Sequence, residues 1–331
     1  DVVVEHCVFN HTGSSADDRM WKRGSGTWPF KCERVFIQKN RLMNAHGPQD
    51  SYSAHIDYGN RDVVVQYNLS FNNEGGFAEV LGDNVNCGYR YNISINDGYR
   101  EDPDGEPWNK KGKIFWVSTF CGGPTRCPSL GTFFYNNTIY VDSTLNPEIY
   151  IWPEAGDILI ANNLIYMDPA GEILPTFLET MENTYMINNN LFYPPTRINL
   201  DANLTQNALF SNPLFVESMS SIPLQSALTF QLRSSSPAIQ AGVLISGNDD
   251  PLDFLHNNGG KDFFNQAVPS DGVPSIGAIQ QSICGTESEW SSSAMLCLPF
   301  NDSECFGDFD GDGTVGTLDL LFLLTTLSSS C

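Results

Sequence analysis

V-V-V-Q-Y-N-L-S-F-N, Val63 to Asn72, is a short apolar run closed by Asn68 and followed at once by a second small alternating run. The same frame returns in Y-R-Y-N-I-S-I-N (Tyr89 to Asn96), F-F-Y-N-N-T-I-Y (Phe133 to Tyr140), I-L-I-A-N-N-L-I-Y (Ile158 to Tyr166) and M-I-N-N-N-L-F-Y (Met186 to Tyr193). V-V-V-E-H-C-V-F-N (Val2 to Asn10) and R-V-F-I-Q-K-N-R-L-M-N (Arg34 to Asn44) also fit. The shared position is Cys7, Asn40, Asn68, Asn92, Asn137, Asn163 and Asn190, at intervals of 24 to 45 residues. Short strands repeating at such uneven intervals mark a solenoid whose coils differ in loop length. Two residues on stand Phe9, Leu42, Ser70, Ser94, Ile139, Ile165 and Phe192, mostly apolar and therefore expected inside. Asn tolerates the left-handed conformation of a sharp bend, so the ladder asparagines are expected to adopt it, their amides stacking from coil to coil about 4.8 Å apart.

A second strand per coil is aligned by its place before the next marker: Met20 to Gly24, Ala54 to Tyr58, Phe77 to Leu81, Phe115 to Thr119, Tyr150 to Glu154 and Leu174 to Leu178. The long interval between Asn92 and Asn137 is filled by R-E-D-P-D-G-E-P-W-N-K-K-G-K (Arg100 to Lys113), whose charges, prolines and glycines read as a surface loop. These features resemble the right-handed parallel β-helix family of pectate-lyase-like proteins. The implied fold is all-β, a right-handed parallel β-helix solenoid, and the sequence adds a small C-terminal loop–helix unit. Coils are expected over 1–210 and terminal coils with a cap over 211–280. S-N-P-L-F-V, S-S-S-P-A-I-Q-A-G and S-I-G-A-I-Q in the latter resemble the terminal segment of bacterial polysaccharide-degrading β-helix proteins. A linker is expected over 281–304, and the loop–helix unit over 305–331.

The chain of 331 residues carries a formal charge of −22, which argues against nucleic acid and anionic membrane surfaces as partners. No apolar run approaches the length of a membrane span. No leader sequence is seen, and the chain opens at Asp1 directly on a strand, as a fragment, a mature product or an end capped by something else would. Nine cysteines point to an oxidising, extracellular setting. The expected disulfides are Cys121–Cys127, Cys284–Cys297 and Cys305–Cys331, with Cys7–Cys32 as a further pairing that leaves Cys87 free. Of six N-x-Ser/Thr sequons, those at Asn10, Asn203 and Asn301 are the better glycosylation acceptors; Asn68 and Asn92 sit in the ladder and are expected to be buried.

D-F-D-G-D-G-T-V-G-T-L-D matches a twelve-residue calcium loop: Asp308, Asp310, Asp312, the Thr314 carbonyl and Asp319 supply hard oxygen ligands, and Gly313 permits the turn. Asp at the last position resembles dockerin loops. Dockerins carry two loops where this chain has one, so a structural role is expected for it.

Outward positions of the second strands offer Lys22, Arg23, His55, Asp57, Glu79, Trp116, Trp152 and Glu154. Lys22, Arg23 and His55 suit the base and cation of uronic-acid elimination. Asp57 with Glu79, one rung apart, suits retaining hydrolysis, and Glu79 with Glu154 a wider spacing. Trp116, Trp152, Arg90 and Arg100 are the expected substrate-binding residues. The segment His55 to Arg100 resembles a stretch of secreted bacterial β-helix proteins. Two readings follow: a secreted calcium-binding protein acting on or binding extracellular polysaccharide, as lyase, glycoside hydrolase or passive binding module; or a structural subunit that self-associates into a filament or surface assembly.

Overall fold

The computed structural model describes residues 1–13, 24–47, 49–101, 111–142, 144–152, 154–167, 174–176, 185–194, 206–216, 227–247, 249–280, 288–291 and 296–299. Residues 1–281 and 282–331 form two separate units.

The first unit is a parallel β-helix of three sheets. The first sheet stacks β1 (Val2–Glu5), β3 (Glu33–Gln38), β6 (Arg61–Gln66), β9 (Val85–Arg90), β12 (Ser129–Tyr135), β15 (Gly156–Ala161) and β18 (Tyr185–Asn188). The second stacks β2 (Val8–Asn10), β4 (Arg41–Met43), β7 (Leu69–Phe71), β10 (Ile93–Ile95), β13 (Thr138–Val141), β16 (Leu164–Met167) and β19 (Leu191–Tyr193). The third stacks β5 (Tyr52–Ile56), β8 (Gly76–Val80), β11 (Lys113–Val117), β14 (Glu148–Ile151) and β17 (Leu174–Thr176). Every ladder within these sheets is parallel.

The asparagine ladder runs between the first and second sheets. Each backbone N–H donates to the amide oxygen one coil on: Cys7 to Asn40, Asn40 to Asn68, Asn68 to Asn92, Asn92 to Asn137, Asn137 to Asn163 and Asn163 to Asn190. From Asn40 to Asn163 the side-chain Nδ2 groups repeat the step, and they also donate to strand carbonyls, as Asn68 does to Ile37 and Gln66 at 2.9 Å. Buried amides are thereby satisfied without water. Two residues on, Phe9, Leu42, Ser70, Ser94, Ile139, Ile165 and Phe192 fall in one register, and Leu42 to Phe192 are buried.

The bend conformation is displaced by one residue from the expectation. The left-handed residues are His6, Lys39, Tyr67, Tyr91, Asn136, Asn162 and Asn189, each just before its ladder residue. A left-handed turn there swings the following amide into the interior, where it meets its neighbour. The other two corners have ladders of their own. Cys32, Asn60, Asn84 and Ser129 follow one another between the third and first sheets, and Ala45, Asn73 and Asp97 between the second and third. Cys7 and Cys32 therefore head ladders at different corners and do not pair; both are free, as is the buried Cys87, while Cys121 and Cys127 are bonded. The other two expected disulfides involve residues outside those whose side chains are described.

Asp97 ends the third ladder as a buried carboxylate. Its oxygens accept from the Asn73 backbone and side chain and from the Ser70 and Ser94 hydroxyls, yet burial outweighs these bonds and pushes its pKa from 3.8 to about 6. A carboxyl raised in the folded state stabilises fully below its unfolded pKa, and that contribution is lost as pH rises through the folded one. The window is 3.8 to about 6, and the shift corresponds to roughly 3 kcal/mol. Asp97→Asn keeps the ladder acceptor and removes the charge. Denaturant titrations across this window are expected to show a flatter pH dependence in the variant; an unchanged slope would count against the assignment.

The coil interior is apolar, with Phe77, Tyr89, Phe115 and Phe134 packed ring on ring. At the end of the stretch expected as coils, Leu209 bridges to Leu191. Beyond it, Phe215, Phe230, Leu232, Ala238, Ile276 and Ile279 cover the outer face of the second sheet, against Ile93, Ile95, Tyr140 and Leu164. Ile245, Phe254 and Val268 cover the first sheet, against Val64, Tyr91, Phe133 and Tyr135. The third sheet receives neither layer.

In the second unit, β20 (Ser288–Ser291) and β21 (Leu296–Pro299) form an antiparallel pair within the stretch read as a linker. No helix among the described residues is long and apolar enough to cross a membrane.

Candidate active site on the third sheet

Register brings His55, Glu79, Trp116 and Tyr150 into one outward column: His55 pairs with Glu79, Glu79 with Trp116, and Trp116 with Tyr150. Ala54, Ala78, Phe115 and Ile149 form the neighbouring inward column. The observed register differs by one from the sequence alignment at Phe77, Tyr150 and Leu174; at Tyr150 the cause is an irregular step between Lys113 and Phe115, which simple alternation does not show. Tyr150 thus occupies the column where Trp152 was expected. Trp152 packs beside the core and carries the Arg126 guanidinium 4.9 Å from its ring centroid. Asp57 lies just past the end of β5, and Glu154 is exposed in a turn. Lys22 and Arg23 lie outside the described residues.

His55 and Glu79 are 4 % and 1 % exposed, with His55 Nδ1 3.3 Å from Glu79 Oε2. A tie through the interior fixes their strands. The Tyr89 hydroxyl, from the first sheet, lies 2.8 Å from the Ala54 carbonyl and 3.0 Å from that of Glu79. Ser53 Oγ donates to the Phe77 carbonyl at 2.6 Å. On the outer side the Trp28 ring lies 6.3 Å from that of His55.

Asp50 completes the group, and the sequence reading missed it. One ligand-type atom each from Asp50, His55 and Glu79 lies within 4.8 Å of the others. Asp50 sits in the loop before β5, where it and Ser51 both have positive φ, 52° and 64°. Two consecutive left-handed residues other than glycine carry strain that the surroundings must hold. Arg100 does so: its Nη2 donates to the Gly47 and Asp50 carbonyls at 2.6 and 2.9 Å, and its Nε faces Glu74. Gly75 and Gly76 let this loop come close, since a Cβ on Gly75 would stand 1.7 Å from the Asp50 carbonyl oxygen. That glycine pair was the available sequence signal.

Lys113 and Arg100, read as ends of a surface loop, are 1 % and 8 % exposed. Burial is possible because Lys113 belongs to β11 and its ammonium lies 5.3 Å from the Trp116 ring centroid and 5.6 Å from that of Tyr150. Only 102–110 of the insertion is outside the described residues. Arg90, also expected here, stands on the outer face of the first sheet instead.

Electrostatically, burial raises the Glu79 pKa well above its ordinary 4.5; the Asp50 and Asp57 carboxylates add to this, and Lys113 and Arg100 oppose it. Tyr52 is likewise pushed up, first by burial and then by Glu79. The result is a carboxyl held as an acid beside a second carboxylate, the arrangement that general acid catalysis needs. The same three side chains have the spacing of a metal site, but two positive charges in the pocket oppose a divalent cation.

Of the expected glycosylation sites, Asn10 is exposed, while Asn203 and Asn301 are outside the described residues. So are Asp308, Asp310, Asp312, Thr314 and Asp319.

No protein-family model matches the chain. A stretch of 126 residues, 36 % of the chain, is 34 % identical to a protein named lacto-N-biosidase from Bifidobacterium longum subsp. longum. The chain spans only 6 % of that relative's length. Parallel sheets and a glycosidase-named relative are consistent with a carbohydrate-active β-rich protein.

Proposed function

We propose that this chain hydrolyses a glycosidic bond in an extracellular glycan, with Glu79 as general acid and Asp50 as the second carboxylate. The observation that carries this reading is Glu79, a nearly fully buried carboxyl with a strongly raised pKa beside Asp50. Glu79 transfers its proton to the glycosidic oxygen as the bond from that oxygen to the anomeric carbon breaks. The Asp50 carboxylate forms a bond to the same carbon. Water then displaces Asp50 and returns its proton to Glu79. Ligand atoms within 4.8 Å suit this two-step retaining course; an inverting one needs about 6.5–9.5 Å between carboxyl groups. His55 orients Glu79. Trp116 Nε1, buried without a hydrogen-bond partner among the described residues, is a donor for a sugar hydroxyl. The carboxyl pair favours hydrolysis over elimination. Incubation of the full chain with a panel of neutral and acidic oligosaccharides tests this: new reducing ends with retained anomeric configuration are expected, and no release from any substrate, or inversion, would overturn it.

The reading includes secretion and calcium binding, with Asp308, Asp310, Asp312, Thr314 and Asp319 as ligands. Calorimetric titration is expected to find one bound calcium that Asp308→Ala/Asp310→Ala removes; heat unchanged by that substitution would exclude the loop.

A further inference from the structure

A cavity of about 520 Å3 lies between the outer face of the first sheet and the segment folded over it, on a different sheet from the Glu79 column. This volume falls in the range of small-molecule sites, roughly 300–1,000 Å3. Its floor is a file of stacked polar side chains. Register aligns Glu5, Gln38, Gln66 and Arg90 on successive strands. Gln38 donates to Glu5 at 2.8 Å, Gln66 to Gln38 at 2.7 Å, and Arg90 Nε to Gln66 at 2.7 Å. Two glutamines therefore separate the arginine from the glutamate, and the pair makes no direct contact.

Arg90 is 3 % exposed. Its Nη1 donates to the Tyr135 hydroxyl at 2.9 Å and the Asn257 carbonyl at 2.7 Å, and Phe254 lies under the guanidinium. Neither N–H of Nη2 has a hydrogen-bond partner among the described residues, and none of their carboxylates pairs with the guanidinium. A buried, unneutralised guanidinium is costly, and its planar fork is suited to a carboxylate or sulfate. Room for that fork depends on Gly259, where a Cβ would stand 2.6 Å from Nη2 and the backbone φ is +80°.

The rim repeats the sign. Lys39 and Lys261 line the same cavity and are exposed. The lining carboxylate, Asp262, is occupied by the backbone N–H groups of Phe264, Gln266 and Gln280. Three cations against one engaged carboxylate invert the local charge of a chain whose formal charge is −22. Tyr67 and Phe263 add apolar faces, and Gln38 and Gln66 add amides, the mixture that binds a hydroxylated ring.

We infer that this cavity binds an acidic sugar, a pyranose bearing a carboxylate or sulfate ester, with Arg90 Nη2 receiving the anion and Lys39 and Lys261 guiding it in. The test is titration calorimetry on the full chain with glucuronate, glucose 6-sulfate, glucose and inorganic sulfate. At least one acidic sugar is expected to bind about tenfold or more tighter than glucose, the worth of a charge-assisted hydrogen bond; which one does so separates carboxylate from sulfate ester. Arg90→Gln should abolish this preference. Because Arg90 is buried, the exposed double substitution Lys39→Ala/Lys261→Ala provides a second reading and should weaken binding several-fold. Glucose binding as tightly as both acidic sugars would overturn the inference. So would affinity unchanged in both variants, or inorganic sulfate binding as well as either sugar, since the ring would then contribute nothing. Glu79→Gln should leave the titration unchanged, so the result is independent of the proposed hydrolysis.

Discussion

Glu79→Gln should lower kcat/KM on any cleaved glycan by about a hundredfold or more, because loss of general acid catalysis typically costs 10²–10⁴ in rate. The substitution preserves shape and removes only the transferable proton. The fold should not suffer. Burial and two neighbouring carboxylates raise the Glu79 pKa above 4.5, so the folded state holds this proton more tightly than the unfolded chain does. Stability from such a group is complete below pH 4.5 and declines as pH rises through the folded value. Gln carries no such penalty, so the variant should unfold at the parent's denaturant midpoint or above it at neutral pH. Activity retained within a few-fold would remove Glu79 from the chemistry. A large drop in midpoint would show that the column is structural.

Asn137→Ala should be among the most damaging single changes in the coil, costing about 3–6 kcal/mol, since each buried polar group left unsatisfied costs about 1–3 kcal/mol. Asn137 is fully buried, and its oxygen accepts from both the backbone N–H and the side-chain amide of Asn92. Its own amide donates to Asn163 and to the carbonyls of Tyr89 and Tyr135. Alanine can replace none of these. Against a typical domain stability of about 5–15 kcal/mol, that loss threatens folding outright. Asn10 is the control: it is exposed and accepts one bond, from Asn44, so Asn10→Ala should stay within about 0.5 kcal/mol. Equal effects from the two substitutions, measured by denaturant unfolding, would contradict the ladder's role.

The solenoid was legible because one corner of the coil uses the same residue type almost without exception. Asn40 to Asn190 announce themselves, and the residues two places on confirm which side faces inward. The other corners were not legible. Cys32, Asn60, Asn84 and Ser129 do equivalent backbone work with three residue types, as do Ala45, Asn73 and Asp97, and no repeated letter connects them. With one corner known, strands could be recognised but not assigned to three separate faces. Arg90 was accordingly grouped with Glu79, although the two lie on different sheets.

Half of the candidate site could be read from alternation. His55, Glu79 and Trp116 sit within strands, where a period of two fixes the side. Asp50 belongs to a loop held by Arg100, and no periodicity governs a loop. Lys113 was hidden by its neighbours: a charged, proline-containing insertion reads as solvent-exposed, and only packing against Trp116 and Tyr150 reveals that its last residue is inside a sheet.

The most direct measurement is the ionisation of Glu79 itself, followed by carboxyl infrared or carbon-13 NMR spectroscopy as the difference between parent and Glu79→Gln across pH. A single carboxyl that remains protonated well above 4.5, and is missing from the variant, is expected. A Glu79 signal that ionises together with the exposed carboxylates would leave the pocket without its acid and contradict the proposed chemistry.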